Sequence, residues 1–121
     1  LSLERQAVDT GVVTREEPAK IPALIAKVVR GNREAIRIWD ACCDAIALAC
    51  VTLQHIADPK LILLGGGVSR AGPVLLDRVR AGLKASTWRL TDDLPRIEAA
   101  ALGNDAGVIG AAAWFLEATR K

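Results

Sequence analysis

Three consecutive glycines, Gly65, Gly66 and Gly67, follow the apolar run Leu61-Ile62-Leu63-Leu64 and precede Val68 and Ser69. Glycine loses more conformational freedom on folding than any other residue. A triplet is therefore costly unless the backbone must take positive φ or lie against something with no room for a Cβ. Four apolar residues bounded by Pro59 and the glycines predict a short strand buried on both faces, as in a parallel sheet covered by helices. Open α/β sheets hold their ligands at the carboxyl ends of such strands. A ligand laid against Gly65, Gly66, Gly67, Val68 and Ser69 is one reading, and a flexible strand-to-helix turn is the other. No Gly-Lys-Ser/Thr follows, so this is not a Walker A loop, and Arg70 stands where the dinucleotide fingerprint needs a glycine. A nucleotide bound here would meet main chain packed flat against base and sugar, with no lysine reaching a phosphate.

The other reactive residue types carry less. Cys42 and Cys43 are neighbours, and adjacent residues on a helix point about 100° apart. They cannot share one ion, and Cys50 has no second cluster to join, so the three are expected to be small, reduced core residues of a cytoplasmic protein. His55 is the only histidine. No Ser, Cys or carboxylate stands at a recognisable spacing from it, and a place near a helix end suits it. Asp92-Asp93 reads as a solvated turn, and Asn104 or Asp105 as the N-cap of the final helix. No residue of the chain reads as a catalytic base with a partner.

The elements that must position the glycines follow from periodicity. In the first 17 residues, Leu3, Ala7 and Val8 line a short helix ended by Gly11. Thr14 and Glu17 have capping-box spacing that opens the next helix, 18–30, with Ile21, Leu24, Ile25, Val28 and Val29 on its apolar face and Gly31-Asn32 at its end. Residues 33–57 form the longest periodic segment, with Ile36, Trp39, Cys43, Ile46, Cys50, Leu53 and Ala57 at alternating steps of three and four. Polar residues cluster in its first half and 45–53 is nearly apolar all round, so this helix is expected to start at the surface and end inside. After the glycines, Pro73 opens a helix with Leu75, Leu76, Val79 and Leu83 inward. Residues 87–94 form a polar connection. A second strand at 96–102 would lie parallel to the first, with the intervening helix as a right-handed crossover. A final helix runs to about Thr119, thinned on one side by Gly107, Gly110 and Ala111 to Ala113.

The order is thus α-α-α-β-α-β-α in an α/β chain. Two parallel strands are too few for a stable sheet, so other sequence is expected to supply the remaining strands. Residues 1–121 form one incomplete domain on this reading, with 1–20 a poorly defined lead-in and 21–121 the core. Starting at Leu1 points to a processed or excised piece. Of the 121 residues, 51% are hydrophobic and 25% charged, with no Tyr, no Met and one Phe. The core must be built from Ala, Val, Leu, Ile and Trp. Sixteen basic residues are interspersed with fourteen acidic ones, for a net charge of +2. Without a basic stripe or a stacking platform, nucleic acid is not expected as a direct partner. The longest apolar run, 45–51, is far shorter than the roughly 18 residues of a membrane span.

Two stretches together are familiar. Residues 59–72, Pro-Lys-Leu-Ile-Leu-Leu-Gly-Gly-Gly-Val-Ser-Arg-Ala-Gly, and 101–112, Ala-Leu-Gly-Asn-Asp-Ala-Gly-Val-Ile-Gly-Ala-Ala, resemble the closing part of the ROK family of bacterial sugar kinases and sugar-responsive repressors. The helix containing Ile38-Trp39-Asp40 is similar to the one preceding the glycine loop in that family. The resemblance implies an actin-like ATPase (ribonuclease H-like) fold of two lobes around a nucleotide cleft, this chain forming most of the carboxyl-terminal lobe. It implies that Gly65, Gly66 and Gly67 pack against the adenosine part of ATP, with Mg²⁺ as cofactor, and that 102–112 forms the small-residue helix at the hinge. The family's catalytic aspartate, phosphate loops, sugar-binding residues and His/Cys zinc motif all belong upstream. Cys42, Cys43 and Cys50 do not match that zinc motif, and the isolated chain is expected to be inactive. The partners expected are the absent amino-terminal lobe, a sugar held by that lobe, and further copies in a homo-oligomer. The same resemblance allows an effector lobe of a repressor, and outside the family stands a small α/β interaction module.

Overall fold

A computed structural model of the chain describes residues 2–17, 19–88 and 93–120. Five helices and two strands follow in the order α1 (Leu3–Asp9), α2 (Lys20–Val29), α3 (Arg33–Ala57), β1 (Leu61–Leu64), α4 (Pro73–Ser86), β2 (Arg96–Ala99) and α5 (Ala106–Ala118). Short 3-10 turns occupy Gly67–Ala71 and Gly103–Asp105. The two strands pair in parallel, with Leu61 opposite Arg96 and Ile62 opposite Ile97.

Local chemistry explains most boundaries. Ser2 caps α1, its hydroxyl accepting from the Arg5 N–H at 3.3 Å. Asn32 caps α3 by accepting from the Ala35 N–H at 2.9 Å, which satisfies one of the donors a helix start leaves open. Asp58 ends α3 in the left-handed region at φ 43°, and Gln54 Nε2 donates to its carboxylate at 2.7 Å. Pro73 stands in the first turn of α4, where its missing N–H removes nothing.

The Thr14–Glu17 pair does not open a helix. Glu17 accepts the Thr14 N–H at 2.7 Å and the Glu17 N–H returns to Thr14 at 3.4 Å, closing a free-standing turn. Helix α2 begins only at Lys20, after Ala19, which offers no side-chain cap. Pro18, the start expected for that helix, lies outside the described residues. Before that turn, Val12 and Val13 are buried in the main core beside Ala7, and Lys27 Nζ donates to the Val12 carbonyl.

The core lies between α3, α4, the inner face of the sheet and α2. Trp39, Leu24, Leu75, Leu83, Ile97, Val79 and Cys43 are almost wholly buried in it. Each buried Leu, Ile or Val contributes about 1.5–3 kcal/mol relative to an exposed one. Arg78 of α4 clamps α3 from outside, reaching Asp40 at 2.9 Å and Asp44 at 2.8 Å. Gly82 lets the two helices approach closely: a Cβ there would stand 2.7 Å from the Ala47 Cβ.

Three expectations are corrected. Strand β1 is covered on one face only: Ile62 is buried, while Leu61 and Leu63 on the other side are exposed, Leu63 by 56%. The helices pack on a single side of the sheet, so the second face has no cover among the described residues. Helix α3 does not end inside. Trp39 and Ile38 in its first half are buried, whereas Leu48, Leu53 and Ile56 in its second half are exposed, because neighbours cover one stripe along its whole length. Strand β2 stops at Ala99, short of Leu102, since the chain turns through Leu102 into the 3-10 turn. The connection 87–94 falls partly outside the described residues, as does Asp92. Among the described residues no helix is long and apolar enough to cross a membrane.

Candidate functional site

The glycine turn is a bend with ordinary packing beside its first glycine and open space beside the next two. Gly66 lies at φ 82° and ψ −175°, a conformation essentially restricted to glycine. Its carbonyl accepts both the Ser69 N–H at 3.2 Å and the Ser69 hydroxyl at 2.7 Å. Gly72, at φ 57°, then turns the chain into α4, its carbonyl accepting from Leu75 and Leu76. The turn is also tied sideways, because the Gly66 N–H donates to the Gly103 carbonyl at 3.4 Å. A Cβ on Gly65 would touch Ala100 at 3.6 Å and the Gly103 carbonyl at 3.8 Å, whereas one on Gly66 or Gly67 would meet nothing within 4 Å.

That open space belongs to a cleft of about 530 Å³ between the glycine turn and α2. Its apolar wall comes from Ile21, Pro22, Ile25 and Ala26 of α2, and the turn contributes Gly67, Arg70 and Ala71. Asn104, Lys20 and Glu4 add polar groups. Among the described residues neither Lys20 nor Arg70 has a carboxylate within ion-pair distance. The arrangement suits a flat, partly apolar ligand with an anionic portion, the apolar wall facing main chain that carries no side chain.

Of the five turn residues singled out in the sequence, Gly67 lines the cleft directly. Gly65 and Gly66 shape the approach, Val68 packs against the core, and Ser69 is buried with its hydroxyl engaged within the turn. The contributions of Lys20, Ile21, Ile25 and Asn104 come from segments far apart in the sequence. Only the half-buried pair Ile21 and Ile25, one helical turn apart, left a signal, and it reads as core.

The remaining reactive groups are accounted for structurally. Burial pushes the Cys43 thiol up to about 12, with neighbouring Cys42 adding to the effect. Burial also raises Cys42 and Cys50. All three are free thiols, and a neutral thiol is a poor nucleophile or ligand. His55 is exposed in the last turn of α3. Asp105 precedes α5 but its side chain makes no cap hydrogen bond, because the preceding 3-10 turn already holds the backbone helical there. Among the described residues no three His, Cys, Asp or Glu side chains gather as a metal site would require.

Comparison with known proteins places this geometry. The profile of the ROK family matches residues 2–118. The chain is 33% identical over 101 residues to a glucokinase of Thermotoga maritima, covering 84% of this chain and 32% of that protein. It is 31% identical over 100 residues to an N-acetyl-D-glucosamine kinase of Pasteurella multocida, covering 83% of this chain and 32% of the relative. In three dimensions it matches a ROK family glucokinase from Streptomyces griseus, solved in complex with glucose and AMPPNP, at a TM-score of 0.69 and 24% identity. That likeness covers 93% of this chain and 40% of the other, and shows a shared fold. The chain spans about a third of the length of the curated relatives it matches. With strand, glycine turn and small-residue helix all falling inside a match that runs nearly end to end, the chain belongs to the ROK family.

Proposed function

We propose that this chain is the adenosine-binding, carboxyl-terminal lobe of an ATP-dependent sugar kinase of the glucose or hexose class, built on the two-lobed actin-like plan. The observation that carries this reading is the vacancy beside Gly67, where main chain without a side chain faces the apolar wall of α2. An apolar wall facing bare main chain is the surface on which a purine's flat faces would pack. Lys20 and Arg70 add positive charge to the cleft, beyond the main-chain contact expected from sequence, and suit a polyphosphate. The naming of relatives as glucokinase and N-acetyl-D-glucosamine kinase supports the choice of reaction.

In that reaction a sugar hydroxyl oxygen bonds to the γ-phosphorus of ATP while the bond to the β-phosphate oxygen breaks, and the hydroxyl proton passes to a base. This chain holds and orients the nucleoside end, and ordering both reactants in one geometry is a large part of phosphoryl-transfer catalysis. Mg²⁺ would screen the phosphate charge, but the cleft offers Glu4 as its one carboxylate, so the ion's protein ligands belong to the other lobe. Closure of that lobe over the cleft would exclude water before transfer.

Gly67 gives the cleanest test. Its φ is not positive and a Cβ there has open space, so Gly67→Leu adds a side chain to the cleft without straining the turn. In the complete protein, calorimetric titration with an ATP analogue should show affinity falling at least about tenfold, or roughly 1.4 kcal/mol. Melting temperature and sugar affinity should stay unchanged. Equal nucleotide affinity in the variant would reject the assignment.

A further inference from the structure

The 3-10 turn that carries Asn104 is held against the glycine turn at defined points. The Ala100 N–H donates to the Leu64 carbonyl at 2.8 Å, continuing the strand pairing past β2. The Gly103 N–H donates to the Ala100 carbonyl at 3.0 Å, and the Gly103 carbonyl accepts from Gly66. Gly103 itself sits at φ 50°, turning the chain so that the next residue lines the cleft beside Gly67 and Arg70. Asn104 is exposed there, and its carboxamide makes no hydrogen bond to another described residue. A carboxamide offers one acceptor and one donor side by side.

We infer that Asn104 reads the edge of the bound base and sets a preference for adenine over guanine nucleotides. This rests on the nucleotide reading of the cleft and adds to it the residue that chooses the base. Adenine presents an amino donor next to a ring-nitrogen acceptor, which one carboxamide satisfies with two hydrogen bonds. Guanine presents two acceptors on the same edge, so one Asn104 atom would face a like group. A correct bidentate pair discriminates by about 1–3 kcal/mol, roughly 5- to 150-fold in affinity. An Asp at this position would lose the donor, keeping at most one hydrogen bond to adenine's amine and facing two acceptors of guanine on that same edge.

The experiment is a titration of the complete protein with ATP and with GTP, repeated for Asn104→Ala and Asn104→Asp. The wild type should prefer ATP by at least about fivefold. Asn104→Ala should bring the ratio close to one by weakening ATP alone, and Asn104→Asp should weaken both nucleotides while keeping ATP ahead of GTP. The ratio is internal to each protein, so partial loss of folded material does not alter it. A wild type that binds ATP, with the same ATP-to-GTP ratio in all three proteins, overturns the role of Asn104 and leaves the cleft assignment standing. A wild type that binds neither nucleotide overturns both.

Discussion

At the scale of single residues, burial decides what the cysteines can do. Cys43 has no exposed surface and its thiol is pushed up to about 12 from 9.0. Below pH 9 the thiol is neutral in both folded and unfolded chains. Between pH 9 and about 12 the unfolded chain ionises first, so stability present below 9 is lost as pH rises. Urea denaturation at pH 8 and pH 10.5 should therefore show a larger loss for the wild type than for Cys43→Ala, and equal losses would remove Cys43 from the account. That the chain turns at residues 65–67 was legible from the glycine triplet after an apolar run, but the backbone requires glycine only at Gly66, through its positive φ. Lys20 and Asn104 were not legible as cleft residues: Lys20 is an ordinary polar residue and Asn104 reads as a helix cap until folding brings α2 and the second 3-10 turn to the glycine turn.

At the scale of elements, α3 and α4 approach closely at Gly82, where a Cβ has no room. Gly82→Ala would gain about 1 kcal/mol in helix propensity. It also places a Cβ 2.7 Å from that of Ala47, and that neighbour is rooted in backbone, so the helices must separate. Overpacking of this kind costs about 1–3 kcal/mol. We expect net destabilisation in chemical denaturation, partly restored by Ala47→Gly in the same chain. A variant more stable than the wild type would show that the helices separate without cost. Arg78 on Asp40 and Asp44 adds little by comparison, since partly exposed ion pairs contribute about 0.2–1 kcal/mol and weaken with salt. Helical periodicity located α3 to the residue and the inner stripe of α4. It could not give the distance between two helices, which depends on the one position where both lack bulk.

At the scale of the whole molecule, helices cover one face of a two-stranded sheet, and α5 has no buried residue. Val108, Ile109, Trp114, Phe115 and Leu116 are all exposed on it, with Leu61 and Leu63 exposed on the sheet. Apolar surface of this extent is a candidate interaction surface, and the chain is about a third as long as its relatives. The 121-residue chain alone should associate as concentration rises, measured by light scattering. Adding the amino-terminal lobe should suppress the association, and a monodisperse monomer at every concentration would contradict the proposed lobe arrangement. The expectation that other sequence completes the sheet rests on the strand count, and the bare second face of the sheet is in keeping with it. The sequence misjudged which surfaces were bare, because a run of four apolar residues reads the same whether its second cover lies in this chain or in another.

The position of the indoles has a practical consequence. Trp39 is 2% exposed and Trp114 is 73% exposed, so the two respond to opposite events. Unfolding moves the emission of Trp39 to longer wavelength, while burial of α5 moves that of Trp114 to shorter wavelength. With Trp88 replaced by Phe, one fluorescence spectrum would separate loss of the core from capture of the final helix without any added dye.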